Sequence, residues 1–223
     1  MKLGVLFSGG KDSCYAMHIA AEKHEIACLI SIFSKNTESY MFHTANIELV
    51  NRQAEELGIP LMINYTDGEK EEELKDLKDA IKKAVEKYHI EGIVTGAIAS
   101  NYQKERIGAI CEKLGIECIN PLWHMEQFQL LEELVEKKFE IILVGVFAMG
   151  LENFLGRKID KKFISDIRKV YDKYKINPSG EGGEYETFVL NAPKFKHALE
   201  IKNTREIDDK EGGKTLILEL RKS

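Results

Sequence analysis

The hexapeptide Ser8-Gly9-Gly10-Lys11-Asp12-Ser13 constrains this chain more than any other feature. An apolar run, Leu3 to Phe7, precedes it, and a helical pattern, Cys14 to Ala21, follows it. A short continuous apolar run bounded by glycines fits a buried parallel strand. Strand, glycine turn and helix together build an anion site. The first helical N–H groups lack intrahelical acceptors and point into the turn. Gly9 and Gly10 let the backbone come close to a phosphate. Ser8 and Ser13 add hydroxyl donors and Lys11 adds a cation. Asp12 suits a Mg²⁺ carried in by a polyphosphate. The expected ligand is therefore a nucleoside triphosphate.

The loop is neither of the two common nucleotide fingerprints. A Walker A loop requires G-x-x-x-x-G-K-[ST]. Here Val5 stands where its first glycine belongs, and Asp12 where its Ser or Thr belongs. No G-x-G-x-x-G occurs at this turn either.

The rest of the first half alternates strand and helix patterns. Ile26 to Phe33 reads as a buried strand. Thr44 to Leu57 carries Ile47, Val50, Ala54 and Leu57 at helical spacing. Gly58 marks the helix end, and Ile59 to Ile63 reads as the next strand. A long helix, Glu69 to Tyr88, follows Asp67 as a possible cap, acidic in its first turns and basic in its last. Ile90 to Thr95 is a further strand and Tyr102 to Leu114 a further helix. The turn Leu114-Gly115-Ile116 repeats Leu57-Gly58-Ile59. Such repeats predict an α/β fold, a doubly wound parallel sheet with right-handed crossovers. Ligands bind such sheets at the carboxyl ends of the strands, where Ser8–Ser13 and Gly96–Arg106 both fall.

After Pro121-Leu122-Trp123 the pattern changes, which predicts a boundary between 1–124 and a smaller C-terminal α+β domain, 125–223. A helix, Glu126 to Lys137, leads to a strand, Ile141 to Phe147, and a second helix, Lys161 to Tyr174. A glycine-rich loop, Pro178 to Gly183, precedes a strand at Phe188 to Leu190. The tail, Leu199 to Ser223, reads as two strands around Gly212-Gly213.

Composition narrows the function. With 43% hydrophobic and 31% charged residues, 223 residues suffice for one large or two small cored domains. No apolar run is long enough to span a bilayer. No leader precedes the first strand, so the cytoplasm is the expected compartment. The four cysteines include no C-x-x-C pair, against a zinc ribbon. A net charge of −5 disfavours a nucleic-acid partner, which calls for a basic face.

Two further segments carry chemistry. In Gly180-Glu181-Gly182-Gly183-Glu184-Tyr185-Glu186-Thr187, glycines give a loop that can wrap a small ligand. Its carboxylates can hold a second Mg²⁺ or a cationic group, or act as a base; a plain surface turn is the bland alternative. In Gly96 to Arg106, Ser100 and Asn101 are natural N-caps, and Arg106 is placed to reach a phosphate or carboxylate.

The hexapeptide itself resembles the PP-loop of the N-type ATP pyrophosphatases, which split ATP between its α- and β-phosphates. The full set resembles the diphthine–ammonia ligase family more narrowly. The shared pattern is S-G-G-K-D-S, then Gly96, Ile98, Ser100, Tyr102, Gln103 and Arg106, then Leu114-Gly115, Pro121-Leu122-Trp123 and Glu181 to Thr187. It spans Ser8 to Thr187. The resemblance implies ATP-dependent amidation of diphthine, a trimethylammonium-bearing carboxylate on a modified histidine of elongation factor 2. The carboxylate would be adenylated, and free ammonia would displace AMP. Ser8, Gly9, Gly10, Lys11, Asp12 and Ser13 would hold the phosphates, with Asp12 on Mg²⁺ and adenine beside Ile32 and Phe33. Ser100, Tyr102, Gln103, Arg106, Glu181, Gly182, Gly183, Glu184, Tyr185, Glu186 and Thr187 would serve the acceptor. Lys11, Asp12 and Glu186 would be catalytic. A homo-oligomer stays open. The competing readings are a tRNA-modifying PP-loop ligase and a non-catalytic adenine-nucleotide module.

Overall fold

A computed structural model describes residues 1–34, 46–67, 70–208 and 212–222, with the side chains of 70–72 outside that description. Thr44, Glu69 and Ser223, expected ends of elements, lie outside the described residues. The chain divides into two compact units, Met1–Trp123 and His124–Ser223.

In the first unit, β1 (Lys2–Leu6) leads into α1 (Lys11–Ala20) and β2 (Glu25–Ser34). A single 3₁₀ turn, Ile47–Leu49, runs into α2 (Val50–Leu57), which β3 (Leu61–Thr66) follows. Then come α3 (Lys70–Tyr88), β4 (Gly92–Val94), α4 (Asn101–Leu114) and β5 (Glu117–Ile119). The five strands are all parallel, in the order β3-β2-β1-β4-β5. The chain winds outward from β1 to β3, then crosses back to β4 and β5. With right-handed crossovers, this places α1 and α2 on one face and α3 and α4 on the other. Cys28, Ile30 and Ile32 of β2 share a buried cluster with Leu77, Ala80, Ile81 and Ala84 of α3 and Ile107, Ile110 and Cys111 of α4. The intervening Leu29 and Ser31 are buried toward the opposite face, as the pleat requires. Charged residues thus fall outside both faces of the central strands, and the sheet is α/β and doubly wound as expected.

The expected turn repeat is present. Gly58 and Gly115 both sit at φ +66 as helix C-caps. In each, the next residue's N–H returns to a carbonyl in the last helical turn, Ile59 to Ala54 at 3.2 Å and Ile116 to Cys111 at 3.1 Å. A left-handed residue closes the helix and delivers the chain to the next strand.

The second unit holds α5 (Gln127–Glu136), β6 (Glu140–Val146), α6 (Lys161–Tyr174), β7 (Tyr185–Asn191), β8 (Ile201–Asp208) and β9 (Lys214–Leu220). Its sheet is antiparallel, in the order β7-β6-β9-β8. Asp160 caps α6, its side chain accepting from the Phe163 N–H at 2.7 Å. The rings of Phe154, Phe163 and Tyr185 meet edge to face at 5.7 and 6.1 Å in its core.

Candidate functional site

The hexapeptide lies where the sheet changes winding direction. β1 has β2 on one side and β4 on the other, so the connections leaving β1 and β4 diverge and open a crevice at their carboxyl ends. Both the Ser8–Ser13 loop and the Gly96–Arg106 segment leave from that edge.

Strand pairing carries one residue beyond β1, with the Phe7 N–H donating to Ile30 O at 2.9 Å. The buried Ser31 hydroxyl donates to the Phe7 carbonyl at 2.6 Å, fixing where the loop starts. Gly9 then takes φ +78, a conformation that disfavours any side chain. Its carbonyl accepts from Gln53 Nε2 at 2.9 Å, and a Cβ on Gly9 would run into the Gln53 side chain. Gln53, fully buried on α2, is a part of the loop's support that the sequence pattern did not single out.

Helix α1 starts at Lys11, three residues earlier than the apolar spacing suggests. Gly10 is its N-cap, and as a glycine it brings no capping side chain to the first helical N–H groups. The Ser8 and Ser13 hydroxyls stand 3.2 Å apart. Ser13 Oγ accepts from the Ser8 N–H at 3.3 Å, and Ser8 Oγ from the Gly10 N–H at 3.4 Å. The turn is thus laced by its own hydroxyls. Lys11 is 3% exposed, and its Nζ lies 3.0 and 2.8 Å from the two Asp12 carboxylate oxygens. A buried ammonium beside a partly exposed carboxylate is an ion pair that a polyphosphate and its metal can reorganise.

Gly96 has a structural role visible only in three dimensions. A Cβ there would lie 2.8 Å from Ser13 N and 2.9 Å from the Asp12 carbonyl carbon. The backbone leaving β4 therefore touches the first turn of α1, and only hydrogen fits between them. Beside it, the buried Thr95 donates to Asn120 Oδ1 at 2.6 Å and accepts from the Ala97 N–H at 3.2 Å, tying this edge to the end of β5. Ser100 is the N-cap of α4, accepting from the Gln103 N–H at 3.3 Å. Arg106 stacks its guanidinium on the Tyr102 ring at 4.3 Å, and Lys104 covers Trp123 at 4.1 Å. Tyr102, Gln103 and Arg106 are all half-buried on the first turns of that helix. Ile32 is buried, whereas the Phe33 ring meets Tyr65 of β3 edge-on at 5.7 Å.

The C-terminal motif is half loop and half strand, rather than a loop throughout. Gly180 and Gly183 adopt φ +76 and +84, and the Gly183 N–H closes a turn on Gly180 O at 3.1 Å. Glu184 spends both carboxylate oxygens on this loop, accepting from the Asn177 N–H at 2.8 Å and the Gly182 N–H at 2.9 Å. Tyr185 is buried and its hydroxyl donates to Pro178 O at 2.8 Å. Tyr185, Glu186 and Thr187 then belong to β7, three residues earlier than Phe188. Tyr185 and Thr187 are buried, while Glu186 between them is half-buried. Glu181 is also half-buried, and Gly182 and Gly183 are exposed. Ser179, fully buried, links Gln127 of α5 to the loop through Oγ to Gln127 Oε1 at 3.1 Å.

The thiols fall into two kinds. Burial pushes Cys14 far up, and pushes Cys28 up to about 11. In the α4–β5 pair, the Cys111 thiol donates to Cys118 and is held up, while Cys118 is drawn below the ordinary thiol range by that bond, Asn120 and Lys104. Among the described residues no His, Cys, Asp and Glu cluster could hold a metal by itself. A Mg²⁺ at Asp12 would need phosphate oxygens to complete its shell, as is usual for that ion.

Residues 1–118 match the family model of the diphthamide synthase N-terminal domain, and residues 126–222 that of its C-terminal domain. The chain belongs to the diphthamide synthase family. Rattus norvegicus diphthine–ammonia ligase is 34% identical over 224 residues, covering 90% of this chain and 83% of that protein. The Bos taurus diphthine–ammonia ligase is 33% identical over 222 residues, covering 89% and 82%. A solved structure titled as a predicted subunit of tRNA methyltransferase from Methanocaldococcus jannaschii aligns with a TM-score of 0.45. It is 19% identical over 86% of this chain and 98% of that one, a likeness that speaks to neither chemistry nor partners.

Within the diphthamide synthase frame, the first unit brings Ser8 to Ser13 and Gly96 to one strand edge, with Ser100, Tyr102, Gln103 and Arg106 on the helix that leaves it. The second unit brings Glu181 to Thr187 to one end of β7. Glu184 and Tyr185 hold their own loop. Among the described residues no helix is long and apolar enough to cross a membrane.

Proposed function

We propose that this chain converts diphthine to diphthamide as an ATP-dependent ligase, and that the two units divide the work. Membership of the diphthamide synthase family across both domains is the observation that carries this reading. The amidation and its dependence on ATP follow from that membership. The acceptor as a side chain of elongation factor 2, free ammonia, Mg²⁺ and a cytoplasmic setting are the finer parts of the proposal.

The chemistry suits the residues. A carboxylate resists attack by ammonia because it has no good leaving group. Its oxygen attacks the α-phosphorus of ATP and pyrophosphate departs. Ammonia then adds to the acyl carbon, AMP leaves with the acyl–oxygen bond, and the proton shed by nitrogen goes to a base. In the first unit, Ser8, Gly9, Gly10 and Ser13 would bind the β- and γ-phosphates at the α1 N-terminus. Lys11 would offset charge growing on the leaving pyrophosphate, released from Asp12 as that carboxylate turns to the metal. Mg²⁺ would supply further charge neutralisation there. The backbone at Ile32 and Phe33 would hold adenine. In the second unit Glu186 would be the base or the acceptor's anchor, with Glu181, Gly182, Gly183 and Thr187 shaping its surroundings. Arg106, Tyr102, Gln103 and Ser100 would orient the carboxylate.

Separating the nucleotide products of a turnover reaction tests the reading. AMP with pyrophosphate is expected, because the loop departs from Walker A at Val5 and Asp12. ADP with phosphate as the main products overturns it.

A further inference from the structure

Cys111 lies in the last turn of α4 and Cys118 in the middle of β5. The turn between them is closed by Ile116, whose N–H donates to the Cys111 carbonyl at 3.1 Å. Ile116 and Cys118, two residues apart, both pack on the buried cluster that contains Cys111. There the Cys111 thiol donates to the Cys118 sulfur. The two thiols differ in access. Cys111 is 1% exposed, whereas Cys118 is partly exposed on β5, an edge strand of the sheet. Asn120 Nδ2 also donates to the Cys118 sulfur, at 3.5 Å, and the positive charge of Lys104 acts on the same atom. These donors and that charge favour a thiolate at Cys118. A partly exposed thiolate with a second thiol in contact is the arrangement in which oxidation ends in a disulfide.

The same cysteine is joined to the nucleotide loop by hydrogen bonds and one close contact. While Asn120 Nδ2 serves Cys118, its Oδ1 accepts from the Thr95 hydroxyl at 2.6 Å. Thr95 Oγ1 in turn accepts from the Ala97 N–H at 3.2 Å. Gly96 stands between those two residues, and a Cβ there would lie 2.8 Å from Ser13 N. One side-chain amide thus links the thiol pair to the strand end that touches the first turn of α1.

We propose that Cys111 and Cys118 form a reversible oxidation site whose closure weakens ATP binding. The oxidant is of the peroxide class. The Cys118 thiolate attacks one oxygen of hydrogen peroxide, the O–O bond breaks, and hydroxide leaves and takes up the proton that Cys118 shed. The Cys111 sulfur then attacks the Cys118 sulfenic acid. Its hydroxyl departs with the Cys111 proton as water. Each sulfur gives up one electron, and one peroxide becomes two waters. The new bond draws the Cys118 sulfur from Asn120, so Thr95 loses the fixed partner that holds the Gly96 edge against Asp12 and Ser13. A dithiol reductant reverses the step. The inference rests on the reading of Ser8 to Ser13 as the ATP loop.

The test treats wild type with stoichiometric hydrogen peroxide and maps its peptides without reductant by mass spectrometry. ATP affinity is read by calorimetric titration before oxidation, after it, and after dithiothreitol. The expected product is a Cys111–Cys118 cross-linked peptide, lighter by two hydrogens than its separate halves, with Cys14 and Cys28 unlinked. ATP affinity is expected to fall about 5- to 150-fold on oxidation and to return with dithiothreitol. Cys118→Ser keeps an acceptor for Asn120 but cannot cross-link, so peroxide should leave its ATP affinity unchanged. The wild-type cycle of oxidation and reduction decides alone should that variant not fold. Absence of the cross-link, a cross-link with unchanged ATP affinity, or an equal loss in peroxide-treated Cys118→Ser overturns the proposal. A reduced wild-type protein that binds no ATP overturns the nucleotide reading itself.

Discussion

Replacing Gly96 with alanine should damage the nucleotide site from a distance. The added methyl would sit 2.8 Å from Ser13 N and 2.9 Å from the Asp12 carbonyl carbon. Both are backbone atoms of the first turn of α1, so no flexible side chain can move aside. Either β4 shifts away from α1 or the phosphate loop deforms. Inserting a methyl into such a contact costs about 1–3 kcal/mol. At roughly 1.4 kcal/mol per decade, ATP affinity falls about 5- to 150-fold if the loop takes up the strain. If the strand takes it up, the melting temperature falls by roughly 4 °C per kcal/mol instead. Gly108→Ala is the internal control. It lies within α4 with nothing within 4 Å of its would-be Cβ, so helix propensity alone applies and stability should rise by up to about 1 kcal/mol. Calorimetric titration with ATP and thermal melts of both variants decide the matter. A Gly96→Ala protein with wild-type affinity and wild-type melting would refute the close approach of β4 to the loop.

Other outcomes follow from the same geometry. Asp12→Asn should fold normally yet lose about 10²–10³ in Mg²⁺-dependent rate; turnover near wild type at limiting Mg²⁺ would contradict the metal role. Glu186→Gln should impair amidation more than ATP binding, read by calorimetry beside a turnover assay, and equal loss in both would move the residue to the nucleotide. Glu184→Gln should instead lower stability by about 1–3 kcal/mol, since an amide cannot accept with both ends from the Asn177 and Gly182 N–H groups; unchanged melting would dismiss that role. Cys118 ionises below the ordinary 9.0 of a thiol, so its thiolate, and its alkylation rate, should reach half their plateau below that pH. Cys28, raised to about 11, should still be climbing there, and peptide mapping across pH would expose the reverse order if the assignment is wrong.

The parts legible in the sequence are those fixed by local chemistry. Continuous apolar runs mark β1 and β2 because both faces of a doubly wound sheet are covered. Gly58 and Gly115 mark helix ends because their positive φ selects glycine. Lys161 to Tyr174 has matching bounds in expectation and structure, with Asp160 as its cap. Errors arose where partners distant in sequence decide. The strand expected at Ile59–Ile63 is Leu61–Thr66, since pairing opens at the Pro60 carbonyl and runs in register with β2 to Ser34. The C-terminal motif looks like a loop by its glycines, yet its second half is drawn into β7 by pairing with β6. Gln53 beneath Gly9 could not be read from spacing at all, because it depends on which elements the fold brings together.

The most direct test of the central claim is mass spectrometry of purified, diphthine-bearing elongation factor after incubation with this protein, ATP, Mg²⁺ and ammonium. The account predicts that the acceptor carboxylate becomes the amide, with one AMP released for each acceptor converted. An acceptor of unchanged mass, in a reaction where a family relative run in parallel converts it, would contradict the account.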